Sequence, residues 1–304
     1  MSTVGVVTPF WLDRPPLEAL DIAVAADEAG FGTVWIGEMA TFDAFALATA
    51  VGLRTSAISL KIGPLAVGVR SPVALALGLS TVATTTGRRT DLALGASSPR
   101  IVSEWHGRDW APVRRTRETV GDTRAILNGD RVAGFRLPQP VPGVSISVAA
   151  FGPAMTRVAA EVGDEVVLNL VSTGHVARVE ARPPLAVWVP AALEPGPGTL
   201  RQLRNQLSVY LAPPGYGEMF TALGHGDLVG DARSGKPRSQ LAEAIPLELI
   251  EAVGAIGSAQ DIARRVDDYV AAGASHVGLV PATAEDPAGR RLLTALSPLA
   301  QGRR

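Results

Sequence analysis

The chain of 304 residues has no cysteine, only four histidines and almost no excess of either charge. Without cysteine, a disulfide framework, a thiolate nucleophile and a cysteine-ligated zinc site are excluded, and a reducing, cytoplasmic environment is allowed. Because 28 Lys and Arg stand against 29 Asp and Glu, the formal net charge is -1. No surplus of positive charge therefore favours a nucleic acid or a membrane surface as partner.

Long apolar runs are also missing. Of the two uncharged stretches that need testing as membrane spans, 71–87 is interrupted by Ser and Thr, and 137–156 contains four prolines. Neither resembles a membrane-spanning helix. The first residues lack the basic region and the apolar core of a secretory signal and read as a strand. We expect a soluble, cytoplasmic protein.

What recurs along the chain is a helix that ends at glycine and is followed by a short apolar strand. Prolines mark three of the helix starts, and Ser258 with Asp261 three residues later forms a capping-box pattern at the fourth. The four copies span 15–36, 72–94, 153–170 and 258–280.

Eight candidate strands follow from these units and from further apolar runs. Apolar strands that alternate with helices predict an α/β fold with a parallel sheet, and eight of them favour a (β/α)8 TIM barrel. A doubly wound sheet would normally carry a glycine-rich loop after its first strand, but residues 7–11 contain no glycine. The predicted strands are 4–7, 33–36, 61–67, 91–94, 144–149, 166–170, 185–189 and 276–280.

The chain shows no convincing domain boundary, so we predict one barrel domain over residues 1–304. Two segments rich in Pro and Gly, about 129–143 and 213–246, interrupt the alternation of strands and helices. The first predicts a loop or small hairpin and the second a longer insertion. Insertions of this kind often lie over the C-terminal mouth of a barrel, where barrel enzymes bind their ligands.

Several motifs can be set aside. Residues 230–236 match most of a phosphate-binding P-loop, but Pro237 replaces the required Ser or Thr. His225 and Asp227 lie in a glycine-rich stretch that favours an exposed turn, and two residues do not make a metal site, so no metal is predicted. His175, at a helix start, and His276, in a strand, are expected to have structural roles.

The segment 95–107 directly follows the fourth predicted strand and would lie at the barrel mouth. Ser97 and Ser98 could orient a ligand there through their hydroxyls, or could cap the next helix; the residues leave both readings open. His106 is a further candidate, although we expect it and Trp105 to pack that helix.

A strand also passes directly into a helix over residues 148–155, through Gly152 and Pro153. The free N–H groups and the dipole at a helix N-terminus favour phosphate. Ordinary strand-to-helix turns look similar, so the junction alone is a weak signal.

These runs together resemble the bacterial luciferase-like superfamily, over nearly the whole chain. The Ser-Ser-Pro and Trp-His-Gly pattern is most similar to the actinobacterial branch that uses the deazaflavin coenzyme F420. The matching runs are 30–38, 61–66, 71–72, 95–107, 149–153 and 269–273.

The resemblance implies a barrel enzyme, usually a homodimer, with the deazaflavin ring at the barrel mouth and its phosphate near the fifth strand-helix junction. It also implies a non-prolyl cis peptide in a bulge of the third strand, aligned to Leu65–Ala66. The cofactor-binding residues that it implies are Leu65, Ala66, Ser97, Ala149, Ala150, Phe151, Gly152 and Pro153.

Three departures from the family pattern bear on catalysis. Where several relatives have an acidic residue followed by His, this chain has Glu38 and Met39. Ser98 takes the approximate place of a Glu of the sugar-phosphate dehydrogenases, which argues against that substrate. Glu165, after Asp164, replaces a usual Gly. Glu38 and Ser98 are the predicted catalytic residues, for substrate polarisation or proton handling; Glu38 could equally be a salt-bridge residue.

Three functions follow as hypotheses. The first is an F420-dependent oxidoreductase that moves a hydride between C5 of the deazaflavin and a small organic substrate. The second is an FMN-dependent luciferase-like monooxygenase with the same barrel. The third is a flavin-binding protein without catalysis, which the missing histidine at position 39 supports.

Overall fold

The computed structural model describes residues 3–11, 13–38, 41–179 and 183–300. Nine strands form a single sheet within this part of the chain. They are β1 (Thr3–Val7), β2 (Thr33–Ile36), β3 (Ser59–Ala66), β4 (Thr90–Gly95), β5 (Ile146–Ala149), β6 (Glu165–Asn169), β7 (Leu185–Leu193), β8 (Ala255–Gly257) and β9 (His276–Pro281).

The helices alternate with these strands along the chain. They are α1 (Glu18–Glu28), α2 (Ala44–Arg54), α3 (Pro72–Thr86), α4 (Pro112–Leu127), α5 (Pro153–Val162), α6 (Thr173–Val176), α7 (Pro197–Tyr210), α8 (Tyr216–Ala222), α9 (Gly226–Arg233), α10 (Arg238–Ala244), α11 (Leu247–Val253), α12 (Ala259–Ala271), α13 (Arg290–Ala295) and α14 (Ser297–Ala300). A six-residue π-helix, Arg100–Trp105, lies between β4 and α4.

The sheet closes on itself into an eight-stranded parallel barrel. Neighbouring strands pair in the order β1 to β7 and then β9, and β9 pairs with β1 to complete the circle. The predicted TIM barrel is therefore confirmed, and all eight predicted strands are present. The ninth strand, β8, pairs with the carboxyl end of β7 outside the circle. The prediction missed it because three residues are too short for a readable pattern.

Local signals set the helix boundaries as predicted. Ser71 caps α3 by accepting a hydrogen bond from the Ala74 N–H, and Gly87 ends the helix in the left-handed conformation. Ser258 and Asp261 form the predicted capping box at the start of α12. These caps satisfy N–H groups that helix geometry leaves without partners.

A small apolar core and a polar cluster lie together in the barrel, and both include contacts of Trp35. In the polar cluster, the Lys61 ammonium lies 2.6 Å from the Glu165 carboxylate and 4.4 Å from the centre of the Trp35 ring, and Ser147 donates a hydrogen bond to Glu165. Glu165, where the family pattern has Gly, is therefore a structural partner of Lys61. The apolar core comprises Val7, Trp35, Ala93, Val167, Ala186 and Trp188.

The two predicted insertions differ in structure. In 129–143, Val132 and Phe135 form an isolated antiparallel bridge, which gives the expected small hairpin-like turn. The segment 213–246 folds into α8, α9 and α10. The described part of the chain contains no helix with both the length and the apolar character needed to cross a membrane.

Candidate functional site

The carboxyl ends of the barrel strands surround a mouth whose floor is built from small residues. A Cβ atom on Gly95 would lie 3.2 Å from the Ala149 Cβ and 3.4 Å from the Pro64 Cβ. Trp188, only 6% exposed, lies within the apolar core and against Gly278. At Gly95 the missing side chain lets the backbone be approached closely, and a larger residue there would collide with Ala149 and Pro64.

One wall of the mouth comes from the loop after β1. The Phe10 ring lies over Gly37, where an added Cβ would be 2.5 Å from the ring, and 6.4 Å from the Phe42 ring. Neither aromatic residue was predicted as a site residue. Phe10 follows β1 and Phe42 follows β2. Because loops after barrel strands form the mouth, these positions were the signal that could have identified both residues.

The third strand carries the predicted bulge, between Ile62 and Leu65. The implied cis bond at Leu65–Ala66 is wrong: among the described residues, the cis peptide is at Gly63–Pro64. The tertiary amide before proline adopts the cis form far more readily than other peptide bonds. Leu65 is fully buried in the main core, so within this pair only the half-buried Ala66 reaches the mouth.

The β5–α5 junction forms an open helix N-terminus. Gly152 has a φ of 78° and a ψ of 158°, and Pro153 starts the helix. No side chain caps α5, and no atom lies within 4 Å of the position that a Cβ on Gly152 would take. This contrasts with α2, whose first N–H groups are bound by Asp43. Free N–H groups beside open space fit a phosphate group.

Phe151 lies in an aromatic stack at this junction. Its ring is 4.9 Å from the His175 ring at an angle of 27°, and 4.1 Å from the Tyr216 ring at 31°. The Tyr216 hydroxyl donates to the Asn169 carbonyl at the end of β6, at 2.9 Å. Burial raises the pKa of Tyr216, so the phenol stays neutral. The stack links the segment 213–246 to the mouth.

The other predicted cofactor residues differ in exposure. Ala149 is half-buried and Ala150 is buried, whereas Pro153 is exposed. Ser97 is exposed and has a φ of 60°. The structure therefore brings Ala149, Phe151 and Gly152 together beside the mouth, but it buries the side chain of Ala150.

Glu38 follows β2 at the mouth and is held in an ion pair. Arg70 donates to both of its carboxylate oxygens, at 2.6 and 2.8 Å, and the Ala44 N–H donates to it at 3.0 Å. Burial acts to lower the pKa of Arg70, but hydrogen bonds and charges from Glu38 and Asp43 outweigh it and raise that pKa. Glu38 is thus a salt-bridge residue. Met39 lies outside the described residues.

Ser98 caps the segment that follows it. Its hydroxyl accepts a hydrogen bond from the Ile101 N–H at 3.3 Å. The expected packing of Trp105 and His106 is wrong, because Trp105 is 49% exposed and His106 is also exposed. The π-helix is anchored instead by Val102, which is fully buried. The segment is held to the core through this one side chain, and Trp105 and His106 remain at the surface.

The remaining histidines match their predicted roles in part. His276 is buried in the barrel, where its ring nitrogens bind the Thr3 hydroxyl at 2.7 Å and the Trp35 indole N–H at 2.9 Å. His225 precedes α9. The described residues contain no group of three or more His, Asp or Glu residues that could hold a metal ion.

Comparisons with known proteins identify the family. The family description "luciferase-like monooxygenase" matches residues 4–183. A putative coenzyme F420-dependent oxidoreductase of Mycobacterium tuberculosis is 27% identical over 185 residues, 53% of this chain and 53% of that protein. The chain spans about half the length of the curated relatives it matches.

Solved structures share the fold over almost the whole chain. An F420-dependent secondary alcohol dehydrogenase, in complex with an F420–acetone adduct, superimposes with a TM-score of 0.78 at 16% identity and covers 99% of both chains. The oxygenating constituent of 3,6-diketocamphane monooxygenase of Pseudomonas putida, in complex with FMN, gives 0.68 at 16% identity, over 99% of this chain and 98% of that one. With a closed barrel, a bulged third strand and a family match over more than half of its length, the chain belongs to the luciferase-like monooxygenase family of enzymes.

Proposed function

We propose that this protein is an F420-dependent oxidoreductase that moves a hydride between C5 of the deazaflavin and a small organic substrate. The observation that carries the proposal is the N-terminus of α5, which no side chain in the described part of the chain caps. It lies beside the barrel mouth, where Gly95 and Ala149 form the floor. It offers a phosphate site next to a flat ring site. The F420 dependence of the mycobacterial relative and of the alcohol dehydrogenase supports the choice of cofactor.

Each part of the mouth would hold one part of the cofactor. The first N–H groups of α5 would bind the phosphate, since an anion there replaces the missing side-chain cap. Ala66, Gly95 and Ala149 would let the ring approach the backbone, and Phe10 would exclude water from one side. The bound cofactor would supply the redox chemistry, as the acceptor or donor of a hydride.

Glu38 and Ser98 keep a role near the substrate in this proposal, but their bonds limit what each can do. Both carboxylate oxygens of Glu38 already accept hydrogen bonds from Arg70, so the side chain is fixed in place and would orient or polarise a substrate. Ser98 could still donate its hydroxyl hydrogen, because its bond to Ile101 uses only an oxygen lone pair.

The experiment is a binding titration of the purified protein with F420 and, separately, with FMN. We expect F420 to bind in the micromolar range or tighter and FMN to bind more weakly. Ala154→Glu places a carboxylate in the exposed first turn of α5 and should weaken F420 binding at least tenfold, about 1.4 kcal/mol. Ala154→Gln, of similar size but uncharged, is the matched control and should retain binding.

The alternative functions are separate outcomes of this titration. Micromolar FMN binding without F420 binding would overturn the proposal in favour of the monooxygenase. The FMN complex of the camphane enzyme is the observation that favours this alternative. Tight F420 binding without turnover, across alcohols, ketones and unsaturated compounds, would support the non-catalytic binding protein.

A homodimer is part of the same proposal. The outer faces of α2 and α3 support it, because α3 contains no charged residue and α2 only Arg54, at its end. Leu53 and Leu77 on these faces are 63% and 44% exposed. Exposed leucines on an uncharged helix pair are typical of a buried contact between proteins. A monomeric mass in light scattering at micromolar concentration would contradict the dimer.

A further inference from the structure

We propose that His175, expected from its sequence position to be structural, is the acid–base residue of the mouth and exchanges a proton with the substrate during hydride transfer. The inference rests on the proposed function and adds to it the group that moves the proton. Three observations support it: the position of the His175 ring, its two nitrogen atoms without hydrogen bonds to the described residues, and the bonds that Glu38 and Ser98 already make.

The position of the imidazole is fixed from two sides. Ser172 ends the link after β6 and accepts the His175 backbone N–H, which places the residue in α6 at the barrel mouth. The ring stacks on Phe151, which follows β5 and is itself stacked on Tyr216. Because Tyr216 is tied to β6 through its hydroxyl, the whole stack is anchored to the barrel. His175 is thus a side chain held beside the mouth by packing.

Both ring nitrogens of His175 are free to act. Neither is hydrogen-bonded within the part of the chain that the structure describes. The contrast with His276 is direct, since the ring of that residue is engaged by Thr3 on one nitrogen and by Trp35 on the other. A histidine with one stacked face and two free nitrogens can donate and accept protons without breaking a structural bond.

The other candidate groups already make structural bonds, and histidine is the side chain best suited to accept and release a proton near neutral pH. Glu38 is bound by Arg70 and by the Ala44 N–H, and Ser98 caps the π-helix segment. His106, in the loop beyond β4, is exposed, whereas His175 is half-buried. Half-burial beside a ligand site is the environment in which an acid–base group is shielded from bulk water.

The protonation state of His175 suits a base. Burial, and then the positive charge of Arg178, lower its pKa below the ordinary range, so the ring is neutral at physiological pH. Arg178 follows α6 by two residues and donates to the Gly174 carbonyl at 2.9 Å. Of the residues stacked on His175, Phe151 does not titrate, and behind it Tyr216 stays neutral because burial raises its pKa.

The structurally similar dehydrogenase acts on secondary alcohols, and an alcohol is the substrate class considered for this site. A ring nitrogen of His175 would take the O–H proton as the C–O bond becomes a carbonyl. The oxidised deazaflavin, when bound, would supply the acceptor for the hydride, which leaves the carbon with both electrons of the broken C–H bond. The substrate would thus lose two electrons and two hydrogens, and the imidazolium would release its proton to solvent.

The test combines a contact measurement with a kinetic one on the full-length protein. The chain has only four histidines, so histidine-labelled protein gives four ring signals in NMR, and His175→Gln identifies the one to follow. We expect added F420 to shift the His175 signal and its pKa. His225→Gln, in the turn before α9, is the matched control.

For kinetics, a panel of secondary alcohols and ketones is assayed across pH with wild type, His175→Gln, His175→Phe and the control. Both His175 variants should bind F420 within about threefold of wild type and lose turnover about 100-fold or more, the usual contribution of a general base. They should also lose the pH dependence of the rate. His175→Phe preserves an aromatic ring on Phe151, so its loss of turnover separates proton transfer from packing.

Two results would overturn the inference while leaving the proposed function intact. One is F420 binding to wild type with an unmoved His175 signal. The other is turnover by His175→Gln at the wild-type rate and with the wild-type pH profile. Failure of wild type to bind F420 is distinguishable from both, and it would overturn the proposed function together with the inference.

Discussion

Arg70 and Glu38 pair side by side at the barrel mouth through two parallel hydrogen bonds, Nη1 to Oε1 at 2.6 Å and Nη2 to Oε2 at 2.8 Å. Two-point pairing of a guanidinium with a carboxylate is among the stronger polar contacts in proteins and fixes both side chains. It joins the loop after β3 to the loop after β2, and thereby shapes one side of the mouth.

We predict that Glu38→Gln lowers stability. The amide cannot accept both guanidinium bonds, so Arg70 keeps only Asp43 as a full partner, at 2.5 Å. The expected loss in the free energy of unfolding is about 1–3 kcal/mol, measured by urea denaturation. Asp43→Asn changes the weaker and more exposed of the two carboxylates that bind Arg70. It should lower the free energy of unfolding by less than Glu38→Gln. Unchanged stability of Glu38→Gln with complete loss of turnover would instead assign Glu38 to proton transfer.

Stability should also decrease as the pH is lowered, because of His276. Burial, opposed by Glu165 and assisted by Lys61, lowers the pKa of this ring to about 4 from an ordinary 6.5. Between these values the unfolded chain binds a proton that the folded chain does not bind. His276 therefore contributes stability fully above pH 6.5 and loses it as the pH falls, by about 1.4 kcal/mol per unit.

The measurement is urea denaturation between pH 7 and pH 4.5 for wild type and His276→Gln. Carboxylates titrate in both proteins, so the difference between the two slopes isolates the histidine. The variant should lose less stability per pH unit than wild type. Identical slopes would contradict the prediction.

Two helical glycines should respond oppositely to alanine. Gly121 in α4 has no atom within 4 Å of its missing Cβ, whereas a Cβ on Gly78 in α3 would lie 2.7 Å from the Phe45 ring. Gly121→Ala should raise the free energy of unfolding by about 0.5–1 kcal/mol, because alanine costs less backbone entropy. Gly78→Ala should give no such gain. Thermal denaturation compares the two, and an equal gain at both sites would refute the contact.

The two interior tryptophans offer a second matched pair. Trp35 donates its indole N–H to His276, whereas the buried Nε1 of Trp188 has no hydrogen-bond partner. Phenylalanine at either site leaves a similar void, so the difference between variants reports the hydrogen bond. We expect Trp35→Phe to be less stable than Trp188→Phe by about 1–3 kcal/mol, since it leaves a buried acceptor unpaired. Equal losses in urea denaturation would contradict this.

The fold could be predicted from the sequence because its signals are local. Apolar strand runs, prolines at helix starts and glycines such as Gly87 at helix ends each act within a few residues, and eight strands alternating with helices leave few architectures open. The site was less predictable because its contacts are long-range. Arg70 meets Glu38 across 32 residues and Tyr216 meets Asn169 across 47. No pattern in either segment indicates its partner.

The stack of Phe151 and Tyr216 shows that the mouth is assembled from two parts of the chain with different constraints. The part that matches the family, residues 4–183, contains the first six strands and the helix N-terminus proposed to bind the cofactor. Tyr216 lies beyond it, in a helical segment whose Phe220, Val229 and Leu241 are buried in the same core as the barrel. Because this segment and the barrel share one apolar core, a change in either part can move the contact between Phe151 and Tyr216 beside the mouth. Residues 213–246 are therefore a structural part of the mouth, although they lie beyond the family match.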